Sequence, residues 1–434
     1  MRTPICDFLR EYSRGDDVRL HMPGHKGKGT LGFECLDITE IDGADVLYSA
    51  SGIIKESEES AASLFGSAKT LFSTEGSSLA IRAMLYLAKR YDAECGKKTK
   101  ILASRNAHKT FITAAALLDI DASFTSPDEI SARIAQEKPT AVYVTSPDYL
   151  GNIADIRKLS GICHKSGAIL LVDNAHGAYL KFLKESRHPI DLGADMCCDS
   201  AHKTLPVLTG GAYLHISKTA PVEFSEYAED AMSLFASTSP SYLTLASLDM
   251  ANKFIEEEGH LFEETVIRVK ALKDKLLTCG YALCGDEPMK ITIMPKAFGY
   301  TGVELSELLR CDKIVCEFAD SDFLVMMFSP KTTEEDFERC EKALLSYKKK
   351  DAIGTLPPQL SPAEFVLSPN EALMLPTETV DVENSEGRIF ADISVSCPPA
   401  IPIVICGEKI NRQLIESLKY YGVKTCKVIK TPAK

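Results

Sequence analysis

Short apolar runs alternate with amphipathic stretches through the first half of the chain. Thr70–Ser73, Lys100–Ser104, Ala141–Thr145, Ala168–Asp173, Met196–Cys198 and Gly211–Ile216 read as strands. Ser77–Tyr91, Lys109–Leu118 and Ile153–Ser166 carry helical spacing. Strand and helix alternating at this interval predict an α/β fold built on a mostly parallel sheet, covered on both faces. Residues 1–50 look irregular, because Leu20–Gly29 is too rich in Gly and Pro for a helix interior. Beyond Ser237 the pattern changes. Tyr242–Glu258 and Leu261–Thr278 read as long helices, Lys290–Met294, Ile314–Phe318 and Phe323–Phe328 as strands, and Glu334–Lys350 as a further helix. That is the pattern of a second, smaller α+β domain. A proline-rich stretch, Leu356–Pro369, reads as a linker. Glu378–Ala391 and Ile401–Gly407 suggest a small β-containing module after it. The expected division is an N-terminal arm at 1–50, a large domain at 51–240, a small domain at 241–355 and a C-terminal module at 356–434.

Composition narrows the function classes. A chain of 434 residues with 45% hydrophobic and 25% charged residues is ordinary globular protein. The net charge of −12, with no basic tail or stripe, argues against a nucleic-acid partner. No long uninterrupted apolar run predicts a membrane span, and residues 1–20 lack the apolar centre of a signal peptide. A cytoplasmic location is the expectation. The 14 cysteines include no Cys-x-x-Cys pair, and several lie in apolar stretches (Cys163, Cys197, Cys198, Cys316). They read as reduced, buried thiols, and no metal site is expected.

The chemistry concentrates at the ends of the predicted strands. Asp173 closes the apolar run Leu170–Asp173, and Lys203 lies downstream in Asp199-Ser-Ala-His-Lys-Thr204. A lysine able to form a Schiff base, after an aspartate that ends a buried strand, is the minimum needed to bind pyridoxal phosphate. The amine takes the aldehyde, and the carboxylate keeps the pyridine nitrogen protonated so that the ring withdraws electrons. Ser73-Thr-Glu-Gly-Ser-Ser78 joins a strand to a helix. Alone, Ser77 and Ser78 read as helix caps. With Asp173 and Lys203 downstream, Gly76, Ser77 and Ser78 read as a phosphate site at a helix N-terminus. Ser200 and His202 flank Lys203 and add phosphate donors. His108 follows a strand and opens a helix, where its flat ring could stack on the cofactor. His176, shortly after Asp173, falls within reach of the cofactor hydroxyl or the substrate carboxylate.

These residues resemble the Orn/Lys/Arg decarboxylases, a fold-type-I group within the aspartate-aminotransferase superfamily of pyridoxal-phosphate enzymes. The resemblance spans His21–Gly27, Gly52–Glu56, Ser200–Pro206, Gly387–Ala391, Cys397–Pro402 and Gly407–Glu408. It implies a fold-type-I large domain, with Lys203 as the cofactor lysine, Asp173 as the pyridine partner and His108 stacked on the ring. It implies that Ser77, Ser78, Ser200 and His202 hold phosphate and that His176 sits beside the ring. It also implies a homodimer or higher homo-oligomer with sites near the subunit interface, where Ser239-Pro-Ser241, just before Tyr242, resembles the segment contributed across it. The expected reaction is α-decarboxylation of a basic amino acid, arginine ahead of lysine or ornithine, with Lys203 or His176 returning the proton. Transamination or side-chain lysis at the same lysine is the alternative within enzymes, and Arg388 cannot be given a transaminase carboxylate role from sequence. A cofactor-binding regulatory relic is the alternative outside them. Some positions depart from the family pattern: Asn174 replaces a usual Glu, Tyr179 a usual His, and Glu75 lies in an altered serine loop. A Cys also stands at 397, where the family usually has Tyr. The chain resembles the shorter, biosynthetic members, without a receiver-like N-terminal domain.

Overall fold

The computed structural model describes residues 1–358, 363–397 and 401–430. Part of the proline-rich stretch (359–362) and of the C-terminal signature (398–400) therefore lies outside the described residues. Seven strands alternate with helices: β1 (Lys69–Ser73), β2 (Lys100–Ser104), β3 (Asp121–Thr125), β4 (Ala141–Thr145), β5 (Ile169–Asp173), β6 (Met196–Asp199) and β7 (Ala212–Ile216). They form one sheet of order β1-β7-β6-β5-β4-β2-β3. The pairs β2–β3, β4–β5 and β5–β6 are parallel, while β7 runs antiparallel to both β6 and β1. The mostly parallel sheet expected from the alternation is present. Its central strands are apolar up to their last residue because both faces are covered: every residue of β5 and β6, the closing Asp173 and Asp199 included, is buried.

The chain forms two compact units. The first holds Met1–Thr99, Lys138–Ser146 and Asp155–Glu263. The second holds Lys100–Glu137, Pro147–Ala154 and Glu264–Lys434. In the second, a four-stranded antiparallel sheet orders Phe318–Ala319, Leu324–Met327, Lys290–Met294 and Ala282–Cys284. Leu272, Leu276, Ile291, Ile293, Leu324 and Leu344 are among its buried core. A further core gathers Phe390, Val404, Leu414, Leu418 and Val428, beside the pairing of Thr377–Asp381 with Thr425–Ile429.

Several elements differ from the sequence reading. A helix, Pro4–Arg14, lies within the stretch read as irregular. Pro4 opens it, and Ile5, Cys6 and Leu9 supply its buried face. Strand β3 escaped notice because Asp121-Ala-Ser-Phe-Thr125 is polar, as suits a sheet edge. The strand expected over Ile314–Phe318 is met only at its last residue, where Phe318–Ala319 begins. The helix Gly302–Cys311 ends just before Ile314, with Lys313 at φ 65° and the Ile314 N–H bonded back to Leu309 O at 2.9 Å. That apolar run is a helix stop, and Val315 is 86% exposed. The helix expected to reach Lys350 ends at Ser346.

Candidate active site

Strands β1, β5 and β6 share a direction, so Ser73, Asp173 and Asp199 all finish at one edge of the sheet. Ligands in such sheets bind beyond the carboxyl ends of the strands. The residues that follow each strand are the ones singled out above: Gly76–Ser78, Asn174–His176 and Ser200–Lys203.

Lys203 lies in a single helical turn, Ala201–Thr204, directly after β6. Its Nζ is 3.0 Å from Nε2 of His176, which is buried. Two sites predicted separately thus share one hydrogen bond, an amine and an imidazole between which a proton can be held. Asp173 is also buried. Its Oδ2 accepts the Tyr143 hydroxyl at 3.1 Å, and its Oδ1 accepts the Ala175 N–H at 3.2 Å and the Cys198 thiol at 3.6 Å. Burial first, and the nearby Asp173 charge second, push the Tyr143 and Cys198 protons to leave only well above their ordinary range. Both groups therefore remain donors, and Asp173 is held as an acceptor ready for a cationic partner.

Sequence reasoning missed the layer beneath. Asn174 Nδ2 donates to Asp199 Oδ1 at 2.6 Å, and Asp199 Oδ2 accepts His188 Nε2 at 3.0 Å and His215 Nε2 at 3.2 Å. All four side chains are fully buried. His188 Nδ1 accepts the Ile190 N–H at 3.4 Å, so its Nε2 carries the proton. The trio of His188, Asp199 and His215 has the spacing of metal ligands, and in it the His188 proton faces Asp199. Burial works to raise the Asp199 pKa, and the two histidines outweigh it, leaving the carboxyl far below its ordinary value. Asn174 is thereby explained. The Glu that the family usually has there would press a second carboxylate against a buried one. Gly177 completes the fit, since a Cβ built on it would overlap Asn174 Oδ1.

At the other end of the edge, the helix Ser77–Glu94 begins at Gly76 with no side-chain cap. Gly76 has φ 73°, a left-handed conformation that suits glycine, and its N–H donates to Gly210 O at 2.7 Å. Ser200 Oγ donates to Ser77 Oγ at 2.9 Å, bringing the two predicted phosphate segments together. An N-terminus without a side-chain cap, with serine hydroxyls beside it, suits a phosphate dianion. His202 Nδ1 bonds Gly211 O at 2.9 Å. That nitrogen must carry the proton, so Nε2 donates to a phosphate only when the ring is doubly protonated.

The remaining candidates have defined places. His108 caps the helix Lys109–Leu117 in the second unit; its Nδ1 accepts the Thr110 N–H at 3.3 Å, and the residue is exposed. Tyr242 is fully buried, and its hydroxyl donates to Asp45 O at 2.7 Å within its own chain. Glu75 Oε1 accepts the Ser237 N–H at 2.7 Å, so this departure secures the segment leading to Ser239–Ser241. Tyr179 is a core residue stacked on Phe262. Tyr143 was legible in principle. Parallel register sets it opposite Leu171, on the face of the sheet that carries Asp173.

The chain resembles known proteins over nearly its whole length. Residues 3–292 match the family profile described as the Orn/Lys/Arg decarboxylase major domain, and residues 358–428 match its C-terminal domain. An arginine decarboxylase of Bacillus subtilis is 30% identical, covering 95% of this chain and 92% of that protein. The uncharacterized protein YaaO of the same organism is also 30% identical, over 96% of this chain and 94% of its own length. The Francisella novicida lysine decarboxylase LdcF superposes with a TM-score of 0.81 at 18% identity, covering 99% of this chain and 81% of that one, a likeness of fold. The chain therefore belongs to the Orn/Lys/Arg decarboxylase family, whose members are fold-type-I enzymes dependent on pyridoxal phosphate.

Proposed function

We propose that this chain binds pyridoxal phosphate through Lys203 and removes the α-carboxylate of a basic amino acid, arginine first among the three. The observation that carries the reading is the Lys203–His176 bond at 3.0 Å, on the sheet edge where Asp173 and the start of the Ser77–Glu94 helix also lie. The residues fit the cofactor on chemical grounds. A lysine offers the amine, a buried carboxylate with its own donors offers a partner for a pyridinium, and an open helix start with Ser77, Ser78 and Ser200 offers phosphate ligands. Bound there, the cofactor supplies the electron sink that decarboxylation needs.

The protein's own contribution is positioning and proton control. Asp173, held by Tyr143, Ala175 and Cys198, would offer a fixed carboxylate to the ring nitrogen of a bound cofactor. His176 is buried, so the proton it shares with Lys203 is shielded from water and can be delivered to the carbon that has lost CO₂. Gly76, Ser77, Ser78, Ser200 and His202 are the proposed phosphate ligands, and His108 the proposed stacking ring. Arginine leads because the arginine decarboxylase of Bacillus subtilis aligns over 95% of this chain.

We further propose a cytoplasmic homodimer with its sites near the subunit interface; no helix of the described residues is long and apolar enough to cross a membrane. A monomer fully active at low concentration would contradict the dimer. For the reaction, purified protein supplied with pyridoxal phosphate is given arginine, lysine or ornithine. CO₂ and agmatine, cadaverine or putrescine are then measured. Agmatine is the expected major product. No CO₂ from any of the three would overturn the substrate class.

A further inference from the structure

His108 sits at the end of a short loop that does more than follow its strand. Arg105 opens that loop, with its N–H bonded to Thr125 O at 2.7 Å. Its guanidinium grips Glu408 with two prongs, Nη1 to Oε1 at 2.6 Å and Nη2 to Oε2 at 2.9 Å, and Nη2 also donates to Ile403 O at 3.1 Å. Glu408 is fully buried, and its Oε2 accepts the Ile405 N–H at 2.8 Å as well. The far end of the His108 helix is held too, where Asn370 Nδ2 donates to Ala116 O at 2.7 Å. On β3, Phe124 stacks on Phe365 with centroids 5.5 Å apart and planes within 13°. Residues from the C-terminal match thus hold the segment 105–125 at the start of its helix, at the end of that helix and on the adjoining strand. All of these contacts lie within the second unit.

A buried two-pronged ion pair contributes direction more than strength, because both charges must be desolvated to form it. Between Arg105 and His108 there is little slack. Ala107 is buried, and its N–H turns back to Ser104 O at 3.0 Å. Arg105 and His108 thus stand at the two ends of one short loop tied down through its backbone. His108 Nδ1 is engaged in capping its own helix, which ties the ring to the start of Lys109–Leu117.

We propose that Glu408, acting through Arg105, is a positioning residue for His108, and that the C-terminal region serves the reaction by clamping the loop and helix that present this ring. The inference rests on the reading of His108 as a ring that stacks on the cofactor. Glu408→Gln keeps the shape and removes the charge. It weakens cofactor affinity by roughly two- to tenfold, the span expected for one aromatic stacking pair, and alters the circular dichroism of the bound cofactor. His108→Ala sets the scale. The double variant Glu408→Gln/His108→Ala binds no more weakly than His108→Ala alone if Glu408 acts through the ring. Multiplying losses would mean a merely structural role and overturn the proposal.

Should Glu408→Gln fail to fold, Arg105→Lys keeps the charge, loses the two-pronged geometry and is read in the same way. Folded variants with wild-type affinity and dichroism would likewise sink the idea. Amide hydrogen exchange over residues 105–117 gives a readout independent of cofactor. It quickens in either variant if the clamp exists, and unchanged exchange overturns the proposal. Wild-type protein that binds no cofactor, yet whose exchange quickens on breaking the pair, would locate the failure in the functional reading and not in the clamp.

Discussion

Replacing Asn174 by Glu restores the residue usual in the family and should damage this protein. Asn174 Nδ2 lies 2.6 Å from Asp199 Oδ1, with both side chains fully buried. Two unit charges at a similar separation, in an effective dielectric of about 20, repel by about 6 kcal/mol. The new carboxyl escapes by keeping its proton, which at pH 8 costs about 5 kcal/mol against an ordinary Glu that ionises near 4.3. The smaller of the two costs is the one incurred. The sign of the pH dependence follows. The folded-state pKa of the new group is raised, so the unfolded chain releases its proton first and stability falls as pH rises above about 4.5. The penalty is then about 1 kcal/mol at pH 5 and roughly 3–5 kcal/mol at pH 8, allowing for relaxation. Urea unfolding at the two pH values measures it. Asn174→Gln, as long as Glu but neutral, isolates the packing cost, and Asn174→Glu/Asp199→Asn leaves a single buried carboxylate and should recover at least half the loss. If Asn174→Glu were no worse than Asn174→Gln at pH 8, Asp199 would not be the charged, buried partner described.

Other expectations follow from the same geometry. Burial raises the Glu58 carboxyl to about 8, against the opposing Phe72 N–H that donates to its Oε1 at 2.8 Å. Its folded pKa lies above the unfolded one, so it erodes stability between about pH 4.5 and 8. Glu58→Gln keeps the acceptor and should stabilise by roughly 2–4 kcal/mol at pH 8 but little at pH 5; equal gains at both would count against a buried, protonated Glu58. Asp173→Asn should retain much of the cofactor binding while turnover falls by several powers of ten, and a rate within about tenfold (~1.4 kcal/mol) of wild type would remove Asp173 from its role.

Much of this was legible in the sequence, for identifiable reasons. The central strands are buried on both faces, so β4, β5 and β6 are unbroken apolar runs that no solvent-facing position interrupts. Asp173 stands out as a charge that closes such a run, and Lys203 as a lysine one short turn after the next. The meeting of Lys203 with His176 was not readable, since it depends on how the turns after β5 and β6 fold toward each other. Asp199 was quoted only as part of the lysine motif. Its partners His188 and His215 lie on different segments, and only tertiary packing unites them. The helix Gly302–Cys311 did carry a signal, the Thr301/Glu304 capping box, and it was overlooked. The neighbouring Ile314–Phe318 was misread because an apolar helix stop and a short strand have the same composition. The grip of Glu408 on Arg105 joins residues far apart in sequence, and periodicity is silent on such pairs.

The central claim is that Lys203 carries the cofactor. Protein loaded with pyridoxal phosphate is reduced with borohydride, which makes the link permanent, then digested and mapped by mass spectrometry. The account predicts the added cofactor mass on the peptide containing Lys203, and its disappearance together with the visible absorbance band in a folded Lys203→Ala variant. Attachment to any other lysine, or an unchanged band and turnover in Lys203→Ala, would contradict it.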